Sequence, residues 1–194
     1  MSAGSVVTAE RFAKGFTFKD YVAAIKVNRD RYEHFYNSFQ LSPEDKTFFE
    51  KAGKTENGIG RLLAIAEDWC PDAFRGVPVM ARIAEAAGAE MRIFPRDQNL
   101  DIMNECLNQG KFMSIPVAVF FTSGLKEIGR WVERPQVAYR ERAEIEAAIK
   151  KEMPNATESD FRLAIRDRTQ PRYPAWQQET VREMRQTLAA KLGL

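Results

Sequence analysis

The sequence predicts an α/β domain with a central mixed sheet of about four strands, flanked by helices and carrying helical extensions at both ends. Short apolar runs typical of buried strands alternate with helical patterns over residues 61–152. Before and after this segment, the patterns are helical. We therefore expect an N-terminal helical extension that packs on the core, an α/β domain and a C-terminal helical extension, at residues 1–58, 59–153 and 154–194.

The α/β segment has the order strand, helix, strand, helix, strand, strand, helix. Strands are predicted at 62–66, 90–94, 117–121 and 127–132, and helices at 71–87, 99–108 and 135–152. Helical crossovers usually join parallel strands, so we expect the first three strands to be parallel. The turn at Ser123-Gly124 predicts a hairpin, which adds the fourth strand as an antiparallel edge.

The N-terminal extension is rich in aromatic residues, because ten of the chain's 21 lie between Phe12 and Phe49. Tyr32, Phe35, Tyr36 and Phe39 recur at helical spacing and form one apolar stripe. Large apolar side chains are mostly buried, so we expect them to pack on the domain that follows. The alternatives are an aromatic wall beside the active site and a dimer surface.

Two helices are predicted in the C-terminal extension, at 157–167 and 174–192. The second has an apolar stripe formed by Trp176, Val181, Met184, Leu188 and Leu192. Its basic residues would also suit a membrane surface. Such a stripe more often docks on its own domain or on a second copy of the chain, as in a homodimer, and we favour docking.

Composition excludes several classes of function. The 194 residues carry 29 basic and 27 acidic side chains, a net charge of +2 that does not indicate nucleic-acid binding. The apolar runs are too short for a membrane span, and the N-terminus does not resemble a secretory signal. Two cysteines are too few for a disulfide framework, and with one histidine they lack the spacing of a metal site. We therefore expect a cytoplasmic protein.

The position of Cys70 indicates chemistry, because it lies between a predicted strand and a predicted helix. Unpaired backbone N–H groups and the positive end of the helix dipole favour a thiolate there, lowering the pKa below the ~8.5 of a free thiol. The carboxylates of Asp68 and Asp72 act in the opposite direction. We expect an exposed cysteine that forms a thiolate readily, and the alternative is a buried, inert thiol.

Several features around Cys70, taken together and in this order, resemble the thioredoxin family. They are Glu67-Asp68-Trp69-Cys70 ending a strand, Pro71 and Asp72 opening a helix, Pro78 within that helix, Ser114-Ile115-Pro116 before the third strand, and Gly129 in the last strand. The resemblance implies a thioredoxin-like fold that lacks the usual first strand and helix, whose place the aromatic helices would take. It also implies a cis peptide bond before Pro116 and a peptide-binding backbone at Ser114 and Ile115.

Two residues depart from the family pattern. Ala73 stands where thioredoxins have the second, resolving cysteine, and Ala64 stands where they have a buried carboxylate that relays protons. The resemblance therefore implies single-thiol chemistry, in which Cys70 attacks a protein or small-molecule disulfide and an external thiol such as glutathione releases it. Catalysis would involve Cys70, Trp69 and Pro116, without a bound cofactor, and substrate contacts would involve Ser114, Ile115, Asp72 and Ala73. The alternative is a non-catalytic module that binds a peptide in the same cleft.

Three other residues have weaker claims to a functional role. Cys106 shares a predicted helical face with Leu100, Met103 and Leu107, so we expect a core residue that forms no disulfide with Cys70. Arg130 and Arg134 could hold an anionic thiol such as glutathione. Arginine is common on protein surfaces, and an ordinary surface position is the alternative.

Overall fold

The computed structural model describes residues 5–194, so residues 1–4 of the predicted N-terminal extension lie outside the described part. The extension forms helices α1 (Ala9–Ala13), α2 (Phe18–Ala24), α3 (Arg29–Ser38) and α4 (Pro43–Lys54). Hydroxyl oxygens of Thr8, Thr17 and Ser42 accept hydrogen bonds from first-turn backbone N–H groups and so fix three of the four helix starts. Helix α1 was not predicted from the sequence.

The sheet contains four strands, β1 (Arg61–Ala66), β2 (Glu90–Pro95), β3 (Val117–Phe121) and β4 (Glu127–Val132), in the order β2-β1-β3-β4. Strand β1 is parallel to β2 and antiparallel to β3, and β3 is antiparallel to β4. The mixed sheet of four strands is thus confirmed.

The expectation that β3 is parallel to β1 was wrong. Val117 at the start of β3 pairs with Ile65 near the end of β1. The helix between β2 and β3, α6 (Leu100–Asn104), is only five residues long, and the chain does not return to the opposite end of the sheet. As a result, the residues that follow β1 and those that precede β3 lie at the same edge.

Helix α6 is shorter than the predicted 99–108. Gln109 and Gly110 adopt left-handed backbone conformations, with φ of 54° and 68°, and so the chain turns instead of continuing as a helix. Leu100 is largely exposed, which corrects the predicted apolar face. Cys106 lies beyond the helix and is nevertheless buried, as predicted.

Helix α5 (Pro71–Ala87) lies between the sheet and the terminal helices. On one side it contacts α3 and α4, and a Cβ on Gly53 of α4 would lie only 1.9 Å from the carbonyl oxygen of Ala87. The aromatic extension packs on the core through five buried rings, those of Phe12, Tyr21, Tyr32, Phe39 and Phe49. Phe16 also forms a single antiparallel bridge with Ile93 at the outer edge of β2.

The C-terminal part contains α7 (Gln136–Glu152), α8 (Glu158–Thr169) and α9 (Tyr173–Leu192). Helix α9 docks on α5 and β4 of its own chain, and the predicted apolar stripe is buried there through Trp176, Val181, Met184 and Leu188. Because α3, α4 and α9 all contact α5, both extensions lie close to the helix that Cys70 caps.

In the described residues, no helix has both the length and the apolar character needed to cross a membrane.

Candidate functional site

Cys70 is the N-cap residue of α5. Its backbone N–H donates to the carbonyl oxygen of Glu67 at 3.2 Å, which closes the turn after β1. Its own carbonyl oxygen accepts hydrogen bonds from Ala73 and Phe74, the first bonds of the helix. Pro71 follows as the first helical residue, where its missing N–H would have had no helical partner.

The loop before β3 lies against the Cys70 thiol. The Ile115–Pro116 peptide bond is cis, and the Cys70 Sγ lies 3.6 Å from the carbonyl oxygen of Ile115. Gly76 of α5 faces the same loop, since a Cβ at that position would lie 3.1 Å from the Pro116 Cγ. Ser114 is half-buried, and its hydroxyl accepts a hydrogen bond from the Asn108 side chain. The structure thus brings Cys70 together with Ile115 and Pro116, which are remote from it in sequence.

The side chains predicted to act here differ strongly in exposure. Trp69 is 50% exposed, whereas Cys70 is only 7% exposed. Asp72, Ala73 and Ile115 are buried, as is Pro116. The expectation of an exposed cysteine was therefore wrong, because the loop before β3 covers the thiol. Trp69 is the predicted site residue that is most available to a second molecule.

Burial raises the pKa of the Cys70 thiol above its ordinary value, in contrast to the lowered pKa expected from its helix position. The backbone N–H of Ala73 and the guanidinium groups of Arg75 and Arg134 act in the opposite direction, and Glu133 raises the pKa further. The helix terminus and the two guanidinium groups thus lower the pKa of Cys70, but by less than burial raises it.

Asp72 is paired on both sides. Its carboxylate bonds to the guanidinium of Arg75 and lies 2.6 Å from the Arg134 Nη2, which also lies 2.7 Å from Glu133. The guanidinium of Arg75 lies over the ring of Tyr173, with 4.6 Å to the ring centroid, and beside Trp176. Arg75 was not predicted as a site residue, although a charged residue between Phe74 and Val77 on a buried helix is a usable signal.

Both arginines proposed to hold an anionic thiol are already engaged in ion pairs. Arg134 is held by Asp72 and Glu133, and Arg130 bonds to both carboxylate oxygens of Glu127 at 2.6–2.7 Å. Arg130 also donates to the backbone oxygen of Glu105. Binding glutathione through these side chains would compete with these ion pairs.

The N-terminal extension holds the turn between β1 and Cys70. The Asp68 carboxylate accepts backbone hydrogen bonds from Lys26 at 2.9 Å and Val27 at 3.3 Å. The Asn28 side chain donates to the Asp68 carbonyl oxygen at 2.8 Å, and the Tyr32 hydroxyl donates to that of Glu67 at 3.3 Å. None of these contacts was predicted from the sequence.

Glu67 is held from the other side of the turn. Its carboxylate accepts the backbone N–H of Asp97 at 2.8 Å, and burial raises the pKa of Glu67 above its ordinary value. Both cysteines are free thiols. Within residues 5–194, no group of three or more His, Cys, Asp and Glu side chains could hold a metal ion.

A sequence model of a family described as thioredoxin matches residues 15–150. The chain belongs to this thioredoxin family. The matched region begins just before α2 and ends within α7, so it includes Cys70, the cis-proline loop and all four strands. Among the curated proteins, none matches the sequence.

Two solved structures share this thioredoxin-like fold over nearly the whole chain. A protein of unknown function from Pseudomonas aeruginosa is 18% identical, with 97% of this chain and 99% of that chain covered and a TM-score of 0.67. An HIV epitope-scaffold is 17% identical, with 96% and 99% covered and a TM-score of 0.65. These similarities include the helical extensions and establish the fold.

Proposed function

We propose that this thioredoxin-like protein catalyses thiol–disulfide exchange with Cys70 as its single nucleophile. The observation that carries the proposal is the contact of a free Cys70 thiol with the Ile115 carbonyl oxygen, beside the exposed Trp69. The substrate would be a protein or small-molecule disulfide whose apolar part rests on Trp69. A reducing compartment such as the cytoplasm would supply the second thiol.

The exchange proceeds in two displacements. In the first, the Cys70 thiolate attacks one sulfur of the substrate disulfide, forms a mixed disulfide and expels the other sulfur as a thiolate. In the second, an external thiolate such as glutathione attacks the mixed disulfide. It can attack the substrate sulfur, which regenerates the Cys70 thiolate and leaves a disulfide between the external thiol and the substrate. Ala73 cannot perform this second step.

A second candidate function is a peptide-binding module without redox activity. Its supporting observation is that Cys70 is buried and that burial raises the pKa of its thiol. A protonated thiol is a poor nucleophile, whereas the cleft formed by Trp69, Ile115 and Pro116 could still hold a peptide. In this case Cys70 would be a packing residue.

Turnover of a small mixed disulfide with glutathione separates the two candidates. We expect glutathione-dependent activity in the wild type, none in Cys70→Ser, and wild-type activity in the matched control Cys106→Ser. Reduction of insulin with dithiothreitol should be weak, because the mixed disulfide has no resolving thiol at Ala73. Equal activity in wild type and Cys70→Ser would exclude the redox function and leave the binding module.

A further inference from the structure

We propose that the buried charge cluster formed by Arg75, Asp72 and Arg134 sets the reactivity of Cys70, and that Asp72 restrains it. The inference rests on the proposed role of Cys70 as a nucleophile. It assigns these three side chains as positioning residues, because they act through the thiol and not on the substrate.

The charge cluster is buried. The side chains of Arg75, Asp72 and Arg134 are only 6%, 10% and 15% exposed. Ionised groups are costly to bury, and their electrostatic effects are stronger away from water. A charge change at any of the three should therefore affect neighbouring groups more than a change at the surface would.

The charge cluster connects the two segments that enclose the Cys70 thiol. Asp72 and Arg75 belong to the first turns of α5, directly after Cys70. Arg134 follows β4, and the backbone N–H of the preceding Glu133 donates to the Pro116 carbonyl oxygen at 2.7 Å. The ion pair between Asp72 and Arg134 thus joins the start of α5 to the chain that supports the cis-proline loop.

The positive and negative charges of the cluster act on the thiol in opposite directions. Arg75 and Arg134 both favour a thiolate at Cys70, and one carboxylate, that of Asp72, pairs with both. Glu133 partly neutralises Arg134 from the other side. Removal of the Asp72 charge leaves the two guanidinium groups less compensated, which favours the thiolate. Removal of one guanidinium has the opposite effect.

Other titratable groups near the thiol do not alter this expectation. Tyr21 and Tyr32 approach from the N-terminal helices, and burial raises the pKa of both hydroxyls, so they are neutral at physiological pH. Glu67 and Asp68 precede Cys70 in the turn and are bonded to Asp97 and to the chain at 26–28. These partners are the same in every variant proposed below.

The test is the pH dependence of alkylation by iodoacetamide, in which the thiolate sulfur displaces iodide and forms a carbon–sulfur bond. All variants carry Cys106→Ser, so that Cys70 is the single thiol. We expect Asp72→Asn to lower the midpoint of the rate profile and Arg134→Gln to raise it. Each unit of midpoint shift changes the rate at neutral pH by about tenfold. Arg134→Lys keeps the charge and should restore much of the wild-type profile.

A matched control removes a carboxylate from an arginine pair elsewhere. Glu127→Gln does so at Arg130 and should leave the Cys70 midpoint unchanged. An unchanged or raised midpoint in Asp72→Asn would overturn the proposal. If that variant does not fold, as judged by circular dichroism, an unchanged or lowered midpoint in Arg134→Gln would do so.

Alkylation is independent of turnover, so this test and that of the proposed function fail separately. Midpoints that shift as expected without glutathione-dependent activity would support the charge cluster and reject the redox function. Glutathione-dependent activity that requires Cys70, with midpoints that do not move, would support the redox function and reject the role of the charge cluster.

Discussion

The two cysteines are similarly buried, yet their surroundings differ. Cys70 is 7% exposed and Cys106 is 4% exposed, and both are free thiols. Burial raises the pKa of both, to about 11 for Cys106. At Cys70, a helix N-terminus, Arg75 and Arg134 oppose this effect. At Cys106, Arg130 does so, whereas Glu105 and Glu127 raise the pKa further.

This comparison shows that burial by itself does not separate a candidate nucleophile from a core thiol. The two cysteines differ in the charged groups that oppose the effect of burial on the thiol pKa. They also differ in how a substrate could approach them. Trp69 offers half of its surface beside Cys70, whereas Cys106 is followed by a tight turn at Gln109 and Gly110. The variants described next test how the surroundings of Cys70 and of Cys106 affect reactivity and stability.

The largest effect is expected from Ala73→Cys, which supplies Cys70 with a resolving thiol. Position 73 lies one helical turn from Cys70, and the Ala73 N–H donates to the Cys70 carbonyl oxygen at 3.0 Å. An intramolecular thiol acts at high effective concentration, so insulin reduction with dithiothreitol should rise by about tenfold or more. The rate is measured as insulin precipitation.

Ala73→Ser is the matched control, because it places a hydroxyl oxygen where cysteine would place its sulfur, and a hydroxyl cannot resolve a disulfide. It should leave insulin reduction at the wild-type level. If Ala73→Cys gains nothing over Ala73→Ser while remaining folded, Cys70 does not form mixed disulfides with proteins.

The sequence predicts the strands and α5 well because local signals mark them. Apolar runs predict β1 and β3, and the turn at Ser123-Gly124 predicts β4, all within one residue of the observed bounds. Gly88 ends α5 with a φ of 64°. The direction of β3 was wrong because it depends on where the connection through α6 leads. That path is set by turns at Gln109 and Gly110, which the helical pattern at 99–108 conceals.

The candidate site is only partly predictable for a related reason. The motif at Cys70 is local, and the Ser114-Ile115-Pro116 segment is found through the family resemblance. Burial of the thiol depends on a contact across 45 residues, and the ion pair between Asp72 and Arg134 joins positions 62 apart. The bonds from Lys26 and Val27 to Asp68 use backbone N–H groups, which leave no mark in the sequence.

A smaller effect is expected in the pH dependence of stability. The pKa of Cys106 in the folded chain is about 11, above the ordinary value of a thiol, so the folded chain keeps a proton that the unfolded chain releases. This contribution is fully present below pH 9 and is lost as the pH rises through 11. Allowing for partial solvent screening, we expect it to be about 1–2 kcal/mol.

Urea unfolding of wild type and Cys106→Ala, both under reducing conditions, measures this contribution. The variant is less stable at neutral pH because it loses a buried side chain. The difference between the two free energies of unfolding should shrink between pH 9 and 11. A constant difference over this range would mean that the Cys106 thiol titrates normally.

The smallest effect concerns the hydrogen bond from Tyr32 to the turn before Cys70, a support that Cys106 lacks. Tyr32 is fully buried, and its hydroxyl shares the Glu67 carbonyl oxygen with the backbone N–H of Cys70. Tyr32→Phe removes this bond and should lower the free energy of unfolding by about 1 kcal/mol. Tyr36→Phe is the matched control, because the Tyr36 hydroxyl bonds to the exposed Glu85 carboxylate and water can replace it. Equal losses in urea unfolding of the two variants would show that the Tyr32 hydroxyl does not stabilise the turn.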